Sequence, residues 1–234
     1  MVSEKQIPQR TEHRQRMRNK MLVARDFSSF ADYELLEFIL MAVIPRKDVR
    51  GLAKEILGHF NNCLGKLFSA DVETLMQVKG VGLAVACALK STHELLTRSL
   101  RAELIKAPVL SKWEFLVDYV SLKITHKNVE FFCVLYLNTR YHLIEEEFNE
   151  GTIDYTTIYP REIIKKALNK GASFVVFAHN HPTGDCRPSE TDKKVVFALQ
   201  AALLHSGIQI MDNLIFGKNG VFSFRAKNML DKLQ

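Results

Sequence analysis

The sequence predicts a multi-domain α/β protein, in which a small all-helical N-terminal domain precedes a mixed α/β domain with a curved sheet flanked by helices. Before Pro108, apolar residues recur at helical spacing without a strand pattern. After Pro108, segments typical of strands alternate with amphipathic helices, and the unbroken apolar run 174–178 indicates a buried strand. We therefore predict two domains, residues 21–105 and 109–234.

The composition is that of a globular protein, with 47% hydrophobic and 25% charged residues in a chain of 234. No apolar run reaches the roughly 18 residues that a membrane-spanning helix needs, and the polar N-terminus lacks the apolar core of a secretory signal. We therefore expect no membrane partner and a cytoplasmic location. The cysteines lack paired spacing, which predicts reduced thiols at positions 63, 87, 133 and 186.

Positive charge is concentrated at the N-terminus. The net charge is +6, and the first 25 residues contain seven Lys or Arg against two Glu. Residues 1–20 are predicted to be a basic arm that is either disordered or loosely helical. Such an arm is either a solvated tail or a segment that contacts phosphate groups, and the sequence alone favours neither.

The N-terminal domain is predicted to begin with two helices and a short third. Apolar residues at helical spacing continue from Phe30 until Pro45, which ends the first helix. The segment 48–60 repeats this pattern. Asp71 is the candidate cap of the third helix, because its side chain can accept from the backbone of the first turn.

The segment 76–86 contains two glycines separated by one apolar residue, and it resembles the helix-hairpin-helix signature. Glycines in that turn supply unusual backbone angles, and bare amides at the start of the next helix can bind a phosphate. The same glycines also fit a simple turn between two packed helices. Under the DNA-binding interpretation, Lys79, Gly80 and Gly82 contact the DNA backbone.

The C-terminal domain has helix and strand signals in alternation. Ser111 and Glu114 have the spacing of a capping box, which predicts a helix to about Leu122. Pro160 starts another helix and Lys170-Gly171 ends it. The other predicted elements are helices over 84–105 and 193–206, and strands over 129–137, 141–148, 208–216 and 221–224.

Two histidines stand at the end of the buried strand. Because side chains alternate along a strand, His179 and His181 point to the same side and Asn180 points to the other. Asp192 can complete a metal site if the intervening loop folds back. Two histidines and one carboxylate leave a fourth position open for water, as in catalytic zinc sites.

The same residues also have simpler interpretations. A lone histidine near a strand end is usually a polar residue with an ordinary hydrogen bond. Ser189 and Asp192 precede an apolar helix with the spacing of a capping box. An aspartate in the first turn can cap the helix and bind a metal at once, so the two interpretations are compatible.

This pattern is similar to a known one. The motif His179-Asn-His181-Pro-Thr-Gly-Asp185, followed by Pro188-Ser189-x-x-Asp192, resembles the JAMM (MPN+) metallopeptidase motif in the form carried by the bacterial RadC (UPF0758) family. The resemblance implies an MPN/JAMM domain, one zinc ion per chain at His179, His181 and Asp192, and hydrolysis of a peptide, isopeptide or related amide bond. Segments 151–154, 159–162 and 211–217 also agree with the family, except that Asn213 stands where the family usually has His.

The resemblance also implies a general base and a hydrogen-bond donor. In the family a glutamate precedes the Gly-Thr turn, and three candidates stand at 145–147. Strand alternation separates Glu146 from its two neighbours, and counting back from Gly151 favours Glu146 as the base. Ser189 would donate a hydrogen bond to the oxyanion or orient the water.

Other functions fit less well or remain open. A zinc deaminase needs His-x-Glu and a paired cysteine motif, and neither is present. The second hypothesis is a DNA-associated binding module that docks through the glycine motif and keeps a weak or vestigial metal site. Mn²⁺ or Fe²⁺ could replace zinc at such ligands. The sequence indicates neither the substrate nor the oligomeric state.

Overall fold

The computed structural model describes residues 9–151, 159–231 and 233. Residues 1–8 of the expected arm and residues 152–154 of the Gly-Thr segment lie outside this part of the chain. The chain divides into two compact units, Met1–Glu94 and Leu95–Gln234. Among the described residues, no helix has the length and apolar character needed to cross a membrane.

The N-terminal unit is helical, as predicted. Its apolar core contains Leu40, Ile56 and Leu89, each fully buried. Asp71 caps the short helix as expected, because its Oδ1 accepts from the backbone N–H of Thr74 at 2.6 Å. The helices are α1 (Gln9–Val23), α2 (Asp32–Val43), α3 (Arg50–His59), α4 (Leu64–Ser69), α5 (Val72–Met76) and the start of α6 (Leu83–Lys106).

From residue 9 onwards the arm is helical rather than disordered, because these residues belong to α1. Arg14 fixes this helix by donating to the carbonyl oxygens of Ile44 at 2.6 Å and Lys47 at 2.8 Å. Those carbonyls lie at and just beyond the C-terminal end of α2, where helical partners are missing. The basic composition therefore reflects docking onto backbone oxygens as well as solvation.

The division between the units also differs from the expected one at residues 106–108. It falls within α6, because Leu100 and Leu104 pack into the core of the C-terminal unit.

The predicted capping box at Ser111 is wrong. Ser111 Oγ donates to the Pro108 carbonyl at 2.8 Å within a 3₁₀ turn (Val109–Lys112), and α7 (Trp113–Ile124) follows without a side-chain cap.

The C-terminal unit is built on one mixed five-stranded sheet, which confirms the predicted fold class. The strand order is β2-β1-β3-β4-β5, with β3 and β4 parallel and the other neighbours antiparallel. The strands are β1 (Phe131–Leu137), β2 (Leu143–Glu150), β3 (Phe174–Asn180), β4 (Gln209–Gly217) and β5 (Gly220–Ser223). The remaining helices are α8 (Pro160–Lys170) and α9 (Glu190–Leu204).

Helices cover both faces of this sheet. Val134 and Val175 pack with α8 and α9 on the side that we call the front face. Leu135 and Val176 pack with α7 on the opposite side, the back face. Each strand therefore sends alternate residues into two separate apolar clusters, as strand geometry requires. Any polar side chain on the sheet belongs to one face or the other.

Candidate metal centre

His179 lies near the C-terminal end of β3 and His181 follows directly after the strand, with both side chains on the front face. Their position follows from strand alternation, since Val175 and Phe177 face the same way. The backbone N–H of His181 donates to the Phe216 carbonyl at 2.8 Å, which extends the pairing with β4 by one residue. The side chain of His179 is only 2% exposed and that of His181 is 15% exposed, so both are shielded from bulk water.

The donor atoms of the predicted triad converge. His179 Nε2 and His181 Nε2 lie 3.1 Å apart, and the Asp192 carboxylate oxygens lie 3.3 Å from His179 Nε2 and 3.5 Å from His181 Nε2. Metal–ligand bonds of about 2.0–2.1 Å in a tetrahedral site separate the ligands by about 3.3 Å. The three side chains therefore fit a single divalent ion.

Protonation of the rings suits this arrangement. His181 Nδ1 lies 2.7 Å from the Asp185 carbonyl oxygen, which can only accept, so Nδ1 carries the proton and Nε2 keeps a free lone pair. Burial lowers the pKa of His179 despite the opposing effect of Asp192, and this favours the neutral ring that binds metals. Without a metal, the contact with Asp192 raises the pKa of His181 and so opposes the neutral ring, and a bound ion would take the place of that proton on Nε2.

Asp192 both caps a helix and completes the triad. Ser189 is the N-cap of α9, and its Oγ accepts from the Asp192 backbone N–H at 3.1 Å. In return, Asp192 Oδ2 accepts from the Ser189 backbone N–H at 2.6 Å, and Ser189 Oγ also lies 2.6 Å from that oxygen. Burial acts to raise the pKa of Asp192, but contacts with both histidines and Ser189 outweigh it and hold the pKa well below its usual range.

The loop between the histidines and Asp192 is held by a close backbone approach. Gly184 has a φ of +102°, which favours glycine, and a Cβ atom at Gly217 would clash with the Gly184 carbonyl oxygen. No side chain fits at Gly217 without moving this loop. Since the same loop carries the Asp185 carbonyl, its fixed path orients the His181 ring.

The structure contradicts Glu146 as the general base. Glu146 pairs with Leu135 in the sheet and therefore lies on the back face, whereas His179 pairs with Phe132 and lies on the front face. Its Oε1 accepts from Arg101 Nε at 2.9 Å and from the Tyr119 hydroxyl at 2.7 Å. Strand alternation correctly separated Glu146 from its neighbours, but it could not show which face holds the metal ligands.

The two neighbouring glutamates are on the front face but are occupied elsewhere. Glu145 and Glu147 bind Lys170 and Lys166 of α8, each at 2.7 Å. Glu147 and Lys166 also line a cavity of about 230 Å³ that reaches Phe132, the residue paired with His179.

Sequence reasoning missed Glu130. This residue immediately precedes β1, and continuing the β1–β3 pairing by two residues brings it opposite His181 on the front face. Its negative charge acts to raise the pKa of both His179 and His181, although burial and Asp192 have larger effects on these rings. The sequence held two signals for this residue. Glu130 stands at the start of an apolar strand, and strand alternation places it on the same face as Phe132.

Asn180 anchors the segment that carries Glu130. It is fully buried on the back face, where its Oδ1 accepts from the Phe131 backbone N–H at 2.7 Å. Its Nδ2 donates to the Val129 carbonyl at 3.1 Å. The residue between the two histidines therefore fixes the backbone on both sides of Glu130.

Asn213 is not at the metal centre. It pairs with Phe177 on β3 and is 1% exposed. Neither atom of its side-chain amide has a hydrogen-bond partner among the described residues. The departure noted in the sequence therefore concerns a buried amide beside Phe177 on the front face rather than a metal ligand.

The predicted DNA contacts lie in the other unit. Gly80 has a φ of +88°, and the glycines precede α6, whose first residues Leu83 and Ala84 are exposed. Lys79 is exposed. Lys90, the other nearby cation, donates to the carbonyls of Phe68 and Ala70 at 3.0 and 2.9 Å, so it stabilises the fold around α4.

Comparison with known proteins gives consistent matches across the chain. Residues 110–229 match the family model described as the RadC-like JAB domain, and residues 9–87 match UPF0758 N-terminal. A UPF0758 protein of Ruegeria pomeroyi is 39% identical over 220 residues, which covers 94% of this chain and 97% of the relative. A UPF0758 protein of Rhodobacter capsulatus is 40% identical over 200 residues, covering 85% and 93%.

Proposed function

We propose a function from one premise: the chain belongs to the UPF0758 family and carries a RadC-like JAB domain. We propose that it is a zinc-dependent hydrolase that cleaves a peptide, isopeptide or related amide bond. The observation that carries this proposal is the convergence of His179, His181 and Asp192, with donor atoms 3.1–3.5 Å apart in a nearly buried site. The JAB domain is compatible with this chemistry.

The three ligands would hold one zinc ion, which supplies Lewis acidity and a water of lowered pKa as the nucleophile. Asp185 orients the ring of His181 through its carbonyl, and Ser189 orients the carboxylate of Asp192 through two hydrogen bonds. These contacts favour a preformed ligand set, because His181 and Asp192 are each fixed by a second group.

Glu130 is the general base in this proposal. Its position opposite His181 on the front face supports the assignment, and so does its electrostatic effect on both rings. Its carboxylate would accept a proton from the attacking water and deliver it to the leaving amine nitrogen. Ser189 Oγ already contacts Asp192, so we assign it to ligand orientation rather than to the oxyanion.

Metal content and hydrolysis together test this function. We expect the front-face centre to contribute one zinc per chain in untagged protein, and a His179→Ala/His181→Ala variant to lose that ion. Zinc-loaded protein should cleave members of a proteome-derived peptide mixture, with products identified by mass spectrometry, and the double variant should not. Equal zinc content in the two proteins, or equal cleavage, would contradict the proposal.

A second candidate function is weak, sequence-independent DNA binding by the N-terminal unit. The positive φ of Gly80 before α6 and the exposed Lys79 support it. We expect a full-chain gel shift with duplex or branched DNA at low salt that disappears as salt rises. A Lys79→Ala variant that binds DNA as tightly as the wild type would count against this surface.

The cytoplasmic location of the protein remains a prediction.

A further inference from the structure

A second group of potential metal ligands lies in the N-terminal unit. His13 of α1, Glu37 of α2 and Asp48, which precedes α3, each bring one donor atom to within 4.8 Å of the others. The three residues come from three separate elements, so the docking of α1 creates the cluster. Nothing in the hydrolase proposal uses it.

Glu37 distinguishes this cluster from an ordinary surface group. The residue is 0% exposed, and its Oε1 lies 2.7 Å from His13 Nε2. Its other oxygen, Oε2, is buried and has no hydrogen-bond partner among the described residues. A buried carboxylate oxygen without a partner is strongly unfavourable. Glu37 is therefore a buried carboxylate with one oxygen still able to accept a hydrogen bond or bind a cation.

The charges within the cluster favour a cation. Two carboxylates this close repel each other unless positive charge lies between them, and His13 supplies at most one. The guanidinium of Arg14 is directed at the carbonyl oxygens of Met41, Ile44 and Lys47 rather than at the carboxylates. The cluster is therefore short of positive charge even though basic residues surround it.

We propose that His13, Glu37 and Asp48 bind a divalent transition-metal ion of the zinc or manganese class. One imidazole nitrogen with two carboxylate oxygens is a donor set that such ions accept. His13 Nδ1 now contacts Arg16 at 3.1 Å, and the exposed Arg16 side chain would release it to solvent when Nε2 turns its lone pair to the ion. The ion would connect α1 to α2 and to the start of α3, and so it would hold α1 in place.

Zinc is the probe, and the full chain is used without an affinity tag. The His179→Ala/His181→Ala variant removes the front-face site, so any remaining zinc reports the second site. We expect about two zinc ions in the wild type, one in this double variant, and none when Glu37→Gln is added. Metal content is measured by mass spectrometry after gel filtration, and affinity is measured by competition with a chromophoric chelator.

Two further variants make the result specific. Glu34→Gln is the matched control, because Glu34 lies one turn away on α2 and binds Lys20 at 2.6 Å instead. It should keep the remaining zinc. Asp48→Asn changes an exposed residue and should fold even if Glu37→Gln does not. We expect it to weaken zinc binding more than about 100-fold, since residues that only support a ligand already contribute 10–100-fold.

The outcomes separate this inference from the proposed function. A wild type with one zinc that vanishes in His179→Ala/His181→Ala would overturn the second site and leave the hydrolase proposal standing. A single zinc that survives in that variant but is lost with Glu37→Gln would support the second site and overturn the front-face centre. Unchanged zinc affinity in Asp48→Asn would overturn the second site.

Discussion

The buried acidic side chains on the two faces of the sheet have different kinds of partner. On the back face, the Glu146 carboxylate meets the guanidinium of Arg101 and the hydroxyl of Tyr119, so its charge is balanced within the protein. On the front face, Asp192 meets two imidazole nitrogens, and the Glu130 charge acts on the same rings. The first cluster pairs its charge with a cation, although Glu146 Oε2 has no hydrogen-bond partner among the described residues, whereas the second presents several lone pairs to a common point. Pairing with a cation, rather than the presence of a glutamate, separates the structural cluster from the candidate catalytic centre.

The largest expected effect tests this difference with two matched substitutions. Glu130→Gln should lower the rate of hydrolysis by about 10²–10⁴-fold, because the amide cannot accept a proton from water. Zinc content should stay near that of the wild type. Glu146→Gln makes the same change on the back face and should leave the rate within a few-fold. The comparison fails if Glu146→Gln abolishes cleavage while Glu130→Gln keeps it.

Metal addition should distinguish the faces by stability. At free zinc of about 100 times its dissociation constant, binding to the front-face centre stabilises the native state by about 2.7 kcal/mol. The wild type should therefore gain more stability from zinc than His179→Ala/His181→Ala does, as measured by urea denaturation. Glu146→Gln should show the full wild-type gain. An equal gain in the wild type and the double variant would mean that zinc binds elsewhere.

Asn180 lies on the back face but fixes the backbone that carries Glu130 on the front face. Its removal should lower the free energy of unfolding by about 2 kcal/mol. Asn180→Ala leaves the Phe131 N–H and the Val129 carbonyl without their buried partner, which is unfavourable by about 1–3 kcal/mol. Hydrogen exchange at Phe131 should accelerate, which chemical denaturation alone would not reveal. Asn180→Asp retains the acceptor and should protect Phe131 better. Unchanged exchange in Asn180→Ala would show that β1 holds Glu130 without this anchor.

The smallest effect concerns the balance on the back face. Arg101→Met should destabilise the protein by about 1–2 kcal/mol, because Glu146 is 14% exposed and loses its cation. The value is below that of a fully buried pair because Arg101 is 41% exposed. Adding Glu146→Gln should recover part of the loss in a double-mutant cycle. Simple additivity would indicate that the two charges do not depend on each other.

The part of the site carried by one local segment could be predicted from sequence. His179, His181, Ser189 and Asp192 follow each other on a strand, a loop and a helix start, and local rules fix which way each points. Glu130 escaped prediction because its place depends on how β1 pairs with β3, which no local pattern states. The error at Glu146 has the same origin. Alternation gives two sets of residues, and only the packing of α7, α8 and α9 assigns them to faces.

The fold could be predicted to a similar depth. The strand and helix order followed from hydrophobic periodicity, and the fold class is confirmed. The charge of the N-terminal arm suggested either solvation or phosphate contact, whereas Arg14 binds backbone oxygens near the end of α2. Such partners have no sequence signature, since every residue carries a carbonyl.

The double use of Asp192 has an evolutionary consequence. Because Asp192 caps α9 as well as facing the histidines, a descendant that no longer needed the metal would still gain from an acid there. Ser189 would be retained for the same reason. His179 has no such second contact, because its Nδ1 has no hydrogen-bond partner among the described residues, so it would be the first position to drift. Across such lineages, loss of activity would be recorded at His179 while the helix start remained unchanged.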